Sequence, residues 1–392
     1  MYTKNELYSN DYFEFVQVDP HYLAIKGGFI LPWRSRHEGG VLDENRVFIE
    51  SSKHVGEWLN IGGGYSLSED YKVIHEKVVY LGFFIRHWGH FIIDCLGRLW
   101  SLDCFEGTQE SYKYVFLSRD SNTIDGNYKK ILNLLGIHDS QIIICSEPTQ
   151  FDIIIVPDDI RSNNEQCTVQ MVNLYRSIAN RVDIDGQVPE KVYFSRRKFA
   201  GAKKKEFGEE TIEEVFTKNG YLSLCPEELS AEEQIHVFKH AKEIACVNGT
   251  IPLNIVWAGD NKDLKLIVIN KTSIIHKNML WASKISGIQP IYVDAWYEPI
   301  TNVPFNLGMG PYWLRRTNEI KKYWTDNGFE HILDFDEEEK LIEVFPQYLI
   351  IALKNWFILK KDKLIIHIPF KREIKQMLHK VKQYLNIIYG RK

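Results

Sequence analysis

His87, His90, Asp94 and Arg98 fall within one run, His87-Trp88-Gly89-His90-Phe91-Ile92-Ile93-Asp94-Cys95-Leu96-Gly97-Arg98-Leu99. Residues four apart on a helix share a face, so the spacing predicts a row of His90, Asp94 and Arg98 with His87 one turn earlier. The row borders an apolar stripe of Phe91, Cys95, Leu99 and Leu102, which places it beside the core rather than in open water. Asp94 could hold one tautomer of the His90 ring, and either group could accept a proton from a hydroxyl. Arg98 can grip a carboxylate or phosphate with its fork, and His87 and Arg98 are candidate substrate-binding residues. A second run, Cys246-Val247-Asn248-Gly249-Thr250-Ile251-Pro252-Leu253-Asn254, reads as a strand entering a small-residue turn and a helix start, which suits a phosphate. Gly249 permits close backbone approach and Thr250 can donate a hydroxyl hydrogen bond. Arg196 and Arg197 close a strand ahead of it. An ordinary amphipathic helix with an Asp94–Arg98 ion pair, a solvated strand end and a plain turn are the competing structural readings.

These groups need elements to carry them. The first eighty residues hold short apolar runs between glycine-rich turns such as Gly62-Gly63-Gly64, and read as strands and loops. A helical pattern starts near Trp88. Lys113–Leu117, a helix ending near Gly136, and strands at Gln141–Cys145 and Phe151–Val156 follow, the alternation of a parallel sheet covered by helices. Asp183–Pro189 loses periodicity and reads as a linker. Beyond it come strand Val192–Ser195, a helix from Glu209 closed by Gly220, strand Tyr221–Leu224, a capping box at Ser230-Ala231-Glu232-Glu233, and strands Ile244–Val247, Leu264–Ile269 and Ile291–Val293. The expected fold is α/β, with two Rossmann-like halves facing each other across a cleft and a helical C-terminal tail. The expected boundaries are 1–185 for the N-terminal Rossmann-like domain, 186–310 for the C-terminal Rossmann-like domain and 311–392 for the extension.

Composition excludes several classes. At 392 residues and 44% apolar content the chain can fill two cores. Six scattered cysteines without a Cys-x-x-Cys pair, and no apolar leader, favour a cytoplasmic protein without disulfides or a cysteine zinc site. The net charge of −4 conceals a split: Lys354–Lys392 holds 11 Lys/Arg against two acids, which leaves −13 on the rest. An acidic body argues against nucleic acid as partner. The basic amphipathic stretch 371–392 is a candidate for peripheral contact with the inner face of the cell membrane, with packing against the acidic body as the alternative. Asp183-x-Asp185 and Asp334-x-Asp336 fall in the linker and in an acidic run, so no metal site is expected from them.

The pattern His90-x-x-x-Asp94-x-Leu96-x-Arg98-Leu99 resembles the signature of the glycosyltransferase 61 family. Tyr193-Phe194-Ser195-Arg196-Arg197, Glu233-Gln234-Ile235 with Phe238 and Ala241, and Asn248-Gly249-Thr250-x-x-x-Asn254 resemble three further family segments in the same order. The resemblance spans roughly Gly82 to Asp294. Gly97 stands where the family has proline, and Asn248 where it has histidine. The resemblance implies an inverting, GT-B-like enzyme of capsule or O-antigen type. Such an enzyme moves a sugar from a nucleotide-sugar donor to a hydroxyl of a glycan or lipid-linked glycan acceptor, with no further cofactor and no metal. It implies Asp94 or His90 as base, and Arg196, Arg197, Asn248, Gly249 and Thr250 around the donor diphosphate, with Gln234 and Asn254 as secondary donor-side candidates. A metal-dependent hydrolase built on His87, His90 and Asp94, and a catalytically silent sugar-binding member of the fold, are the alternatives.

Overall fold

Short links decide how the chain begins. Strand β1 (Tyr22–Lys26) passes through Gly27-Gly28 into β2 (Phe29–Ser35), and a two-residue turn leads to β3 (Glu38–Leu42). Connections this short cannot carry the crossover that parallel pairing needs, and β2 and β3 pair antiparallel. Four longer-range strands follow: β4 (Lys72–Phe83), β5 (Lys113–Leu117), β6 (Ile142–Cys145) and β7 (Thr149–Pro157). They run parallel in the order β7-β4-β5-β6, as the alternation predicted. The first segment adds what the alternation did not reveal: β1 and the start of β2 both lie antiparallel along β7, joined by Gly27 at φ +62°. The sheet also curls, because Cys145 Sγ on β6 reaches the Ile30 carbonyl on β2 at 3.6 Å. Ile30, Val78, Tyr80, Val115, Phe151 and Ile154 fill the space it encloses. The structure, a computed structural model, describes residues 2–9, 12–56, 60–67, 70–105, 111–161, 166–203, 205–301, 307–332, 337–359 and 365–366.

The second sheet is wholly parallel. Strands β8 (Lys191–Phe194), β9 (Leu222–Leu224), β10 (Glu243–Val247), β11 (Lys265–Asn270) and β12 (Ile291–Asp294) lie in the order β9-β8-β10-β11-β12. Chain order therefore reverses between β8 and β10. In an open α/β sheet the crevice at such a reversal, outside the carboxyl ends of the strands, is where ligands bind. Arg196 follows β8 and Asn248 follows β10, so both sit at that point.

Helices α1 (Trp88–Asp94), α2 (Gly126–Leu134), α3 (Val169–Asn180), α4 (Glu209–Lys218), α5 (Ala231–His240) and α6 (Lys277–Ser286) cover the sheets. The capping box forms as read: Ser230 Oγ accepts the Glu233 N–H at 3.1 Å, and Glu233 Oε2 accepts the Ser230 N–H at 2.6 Å. Residues 251–258 form a 3₁₀ helix whose eight side chains are all buried. One hydrophobic core runs through both halves, from Val79 and Phe84 by way of α1 and α3 to Trp257 and Trp281. The Tyr175 ring meets Trp257 edge-on at 5.1 Å in its middle. A layer of shared side chains thus ties the sheets together and fixes the face of one against the other. No described helix is long and apolar enough to cross a membrane. The stretch 371–392 and Asp334-x-Asp336 lie outside the described residues.

Candidate active site

Helix α1 is shorter than its sequence pattern. Cys95 caps it at φ −101°, ψ −7°, and the chain then turns into a 3₁₀ segment from Leu99. Gly97 explains the stop. A Cβ there would lie 2.0 Å from Asp159 Oδ1, so the turn is pressed against the loop after β7. His90 and Asp94 keep their shared face, but Arg98 does not extend the row. Its guanidinium, 3% exposed, donates to the carbonyls of Pro157, Ser51 (2.6 Å) and Lys53 (2.9 Å). The expected substrate contact by Arg98 is replaced by a buried staple between β7 and the 50–53 segment.

Asp94 is enclosed by partners. His90 Nδ1 lies 2.8 Å from Oδ2, Arg161 Nε 3.1 Å from Oδ1, and His54 Nε2 3.5 Å from Oδ1. His54 Nδ1 continues the line to Asp159 Oδ2 at 3.1 Å. Burial works against the Asp94 charge, but the His54 and His90 hydrogen bonds and the Arg161 charge outweigh it and hold the carboxyl well below its usual range. Burial likewise works against a charged His54, but hydrogen bonds to Asp159 and Asp94 push it up to about 9. A carboxylate can only accept, so the His90 Nδ1 carries the hydrogen and Nε2 is left as a lone-pair acceptor. His90 is the part-exposed member of the pair, its side chain 30% accessible against 5% for Asp94. The geometry separates two residues that the sequence left interchangeable.

The facing wall comes from the second sheet. A Cβ on Gly89 would lie 3.3 Å from Thr250 Cγ2, so α1 presses directly on the turn after β10. Trp88 Nε1 donates to Asn254 Oδ1 at 3.0 Å, and Trp257 Nε1 donates to the same oxygen at 3.1 Å. Asn254 is therefore a clamp between the halves rather than a ligand contact. Asn248 is also fully buried: Nδ2 donates to Asn270 Oδ1 at 3.0 Å, and Oδ1 lies 3.1 Å from His276 Nδ1. Burial, Lys271, His90 and His87 bring His276 down to about 3, so it is neutral. Burial, His90 and Arg196 also lower His87. His87, His90, Arg196 and His276 thus lie near enough for their charges to act on one another.

Two cations meet at Gly249. Arg196 grips Glu206 through Nε (2.9 Å) and Nη2 (3.0 Å), and Lys271 Nζ binds Glu206 Oε1 at 2.8 Å. A Cβ on Gly249 would stand 3.3 Å from Arg196 Nη1 and 3.7 Å from Lys271 Nζ, so the missing side chain leaves a notch between them. Burial and then the Arg196 charge bring Lys271 down to about 8 against the pull of Glu206, while Lys271 and Arg196 draw Glu206 down to about 2 against its own burial. Arg197 differs. It is half-exposed and pairs with Glu213 at 3.2 Å. Gln234 faces away, donating to Pro226 O (2.9 Å) and Leu229 O (3.3 Å) in the turn before α5. Lys271, Glu206, His276, His54, Asp159 and Arg161 had not been singled out from the sequence. Only Lys271 carried a signal, as a cation directly after a parallel strand. Among the described residues no three His, Cys, Asp or Glu are grouped to hold a metal ion.

Residues 88–264 match the family model described as Glycosyltransferase 61, a span holding α1, the Arg196 strand end and the Gly249 turn. Over that span the chain is similar to the glycosyltransferase 61 family. A similar solved structure is the bacterial iron-containing dodecameric glycosyltransferase TibC from enterotoxigenic E. coli H10407, at 13% identity. The match covers 68% of this chain and 78% of that one with a TM-score of 0.25, too low to carry an argument about arrangement. No curated protein matches the chain. The glycosyltransferase 61 span stops short of Lys271 and His276, and begins after His54. Those residues enter the site through folding, not through the family pattern.

Proposed function

We propose that this chain is an inverting, GT-B-like enzyme of the glycosyltransferase 61 family. It transfers a sugar from a nucleotide-sugar donor to a hydroxyl of a glycan or lipid-linked glycan acceptor in cell-surface polysaccharide synthesis. The observation that supports this reading is the contact of α1, which carries the His90–Asp94 pair, with the Gly249-Thr250 turn, where Arg196 and Lys271 meet. His90 Nε2 takes the proton of the acceptor hydroxyl as its oxygen attacks the anomeric carbon from the face opposite the leaving group. Asp94 holds the ring and stabilises the imidazolium that forms. Arg196, Lys271 and the main chain at Gly249 and Thr250 receive the charge that builds on the departing diphosphate. With cations in that position the step needs no metal. His87 borders the crevice on the acceptor side. Stretch 371–392 brings the enzyme to the anionic inner face of the membrane, where a lipid-linked acceptor is presented.

Incubation with a panel of nucleotide-sugars and glycan acceptors tests the reading. The expected result is release of one nucleoside diphosphate with formation of a product of inverted anomeric configuration, seen by proton NMR. Retention of configuration, or binding of a donor without any turnover across the panel, would overturn the proposed mechanism.

A further inference from the structure

His54 stands between two carboxylates. Its Nδ1 lies 3.1 Å from Asp159 Oδ2 and its Nε2 lies 3.5 Å from Asp94 Oδ1, with His54 and Asp94 both buried. A neutral imidazole has one N–H and one lone pair, so one nitrogen would aim its lone pair at an acceptor. Only the imidazolium offers a hydrogen to both carboxylates. Burial works against that charge, but the Asp159 contact and then the Asp94 contact outweigh it and lift His54 to about 9. Arg161 Nε reaches the same Asp94 oxygen at 3.1 Å, and its main-chain N–H donates to Asp159 Oδ1 at 3.1 Å. Arg98 bears on Asp159 as a further positive charge. The same guanidinium sets the geometry, because it takes the carbonyls of Pro157 and Lys53, two residues before Asp159 and one before His54. Asp94 therefore meets His90 with its charge already shared. The other titratable groups whose charges couple to His90 are His87 and His276.

We propose that His54 is a positioning residue for the transfer step: through Asp94 it governs how tightly the His90 ring holds a proton. The proposal rests on His90 as the base and extends the pair into a line, His90–Asp94–His54–Asp159. One member of that line, His54, lies outside the matched family span. A general base must reach the reaction without its proton, yet a carboxylate beside an imidazole favours the imidazolium. A cation on the far oxygen of the same carboxylate opposes this in two ways. It shares the Asp94 charge, and it repels a second positive charge forming on His90. Asp94 still accepts from His90 Nδ1 at 2.8 Å, so the tautomer is kept while the pull on the proton is reduced. His54 is only 4% exposed, too enclosed to touch a substrate, and its influence passes through Asp94.

NMR titration of the full chain carrying isotope-labelled histidine tests this, with the His90 signal identified by its loss in His90→Ala. In His54→Asn the His90 ring should hold its proton about tenfold more tightly, a midpoint about one pH unit higher, the scale of one neighbouring charge removed. The acid limb of the kcat/KM profile should move upwards with it. An unmoved His90 midpoint in folded His54→Asn overturns the proposal. Wild type supplies a second measurement that needs no His54 variant to fold. One histidine should still carry hydrogen on both ring nitrogens at about pH 8, and the His90 signal should show a second inflection as that proton leaves near pH 9. The absence of such a histidine, or of the second inflection, also overturns the proposal. If the His90 midpoint moves and the kcat/KM limb does not, the base assignment fails and takes the catalytic role of His54 with it, while the coupling of the two rings stands.

Discussion

His90 hands its Nδ1 hydrogen to Asp94 across 2.8 Å, while His54 and Arg161 occupy the other oxygen of the same carboxylate. The relationship divides the labour between them. In the proposed mechanism Asp94, sealed and charged, orients the ring, and the part-exposed His90 takes the proton. His90→Ala should lower kcat by about 10²–10⁴-fold, the usual loss on removing a general base, with nucleotide affinity unchanged. Asp94→Asn should also lower kcat, because an amide can stabilise the wrong tautomer, and should raise the unfolding midpoint of no buffer tested. Steady-state kinetics of both variants beside nucleotide titrations check this. Near-wild-type kcat in His90→Ala means the base lies elsewhere.

The two arginines of the strand end should behave differently. Arg196 is buried with Nη1 turned to Gly249, whereas Arg197 is half-exposed and paired with Glu213. Arg196→Ala and Lys271→Met should each weaken nucleoside diphosphate binding by about tenfold or more, since a charge-assisted hydrogen bond is worth roughly 1.5–3 kcal/mol. Arg197→Ala should change it by much less. Turnover should persist in EDTA. Equal losses at Arg196 and Arg197, or strict dependence on Mn²⁺ or Mg²⁺, would contradict the cation-pair arrangement.

The strands and helices that carry the site were legible because each announces itself locally. The five strands of the second sheet alternate with helices, and the Ser230–Glu233 box and Gly220 mark helix ends by their own chemistry. The end of α1 was not legible. It depends on Gly97 meeting Asp159, a contact across some sixty residues of chain that periodicity does not encode. The same limit hid His54 from the reading, since nothing near it in sequence tells that Asp94 and Asp159 flank it. Arg98 misled for the complementary reason. Its spacing fits a helical row, but its fork finds three carbonyls once the helix has stopped.

Stretch 371–392 carries the membrane proposal. Ile374, Met377, Leu378, Val381, Leu385 and Ile388 recur at helical spacing, with Lys371, Lys375 and Lys382 outside that face. Co-sedimentation of the full chain with anionic vesicles at low salt should exceed that with neutral vesicles, and should fall as salt screens the cations. Equal sedimentation with both would remove the membrane from the proposal.

Arg98→Ala should act on stability, not on ligand affinity. The substitution strips the Pro157, Ser51 and Lys53 carbonyls of a buried charged donor. Leaving buried acceptors unsatisfied costs about 1–3 kcal/mol each, so a loss of several kcal/mol is expected. Arg98→Lys should not restore it, because one ammonium cannot reproduce the fork. Denaturant unfolding measures the loss, and nucleotide titration of the folded fraction should match wild type. A stable Arg98→Ala protein with weakened substrate binding would return Arg98 to the substrate side.

His54 makes stability depend on pH in a defined direction. Its folded pKa of about 9 lies above the ordinary histidine value of about 6.5. Its contribution is therefore complete below about pH 6.5, where both folded and unfolded chains hold the proton, and is lost as pH rises through about 9. Asp94 and Glu206, both held low by their partners, act in the opposite sense and lose their contribution only in strong acid. Lys271 and Glu209 also titrate near neutrality, at about 8 and about 7, but they are common to wild type and variant and cancel in a comparison. The stability gap between wild type and His54→Asn should be widest below pH 6.5 and should narrow steadily towards pH 9. Thermal unfolding of both proteins across that range reads the gap. A gap independent of pH would mean that His54 sits neutral between Asp94 and Asp159, and that the charge of Asp94 is held by Arg161 and His90 alone.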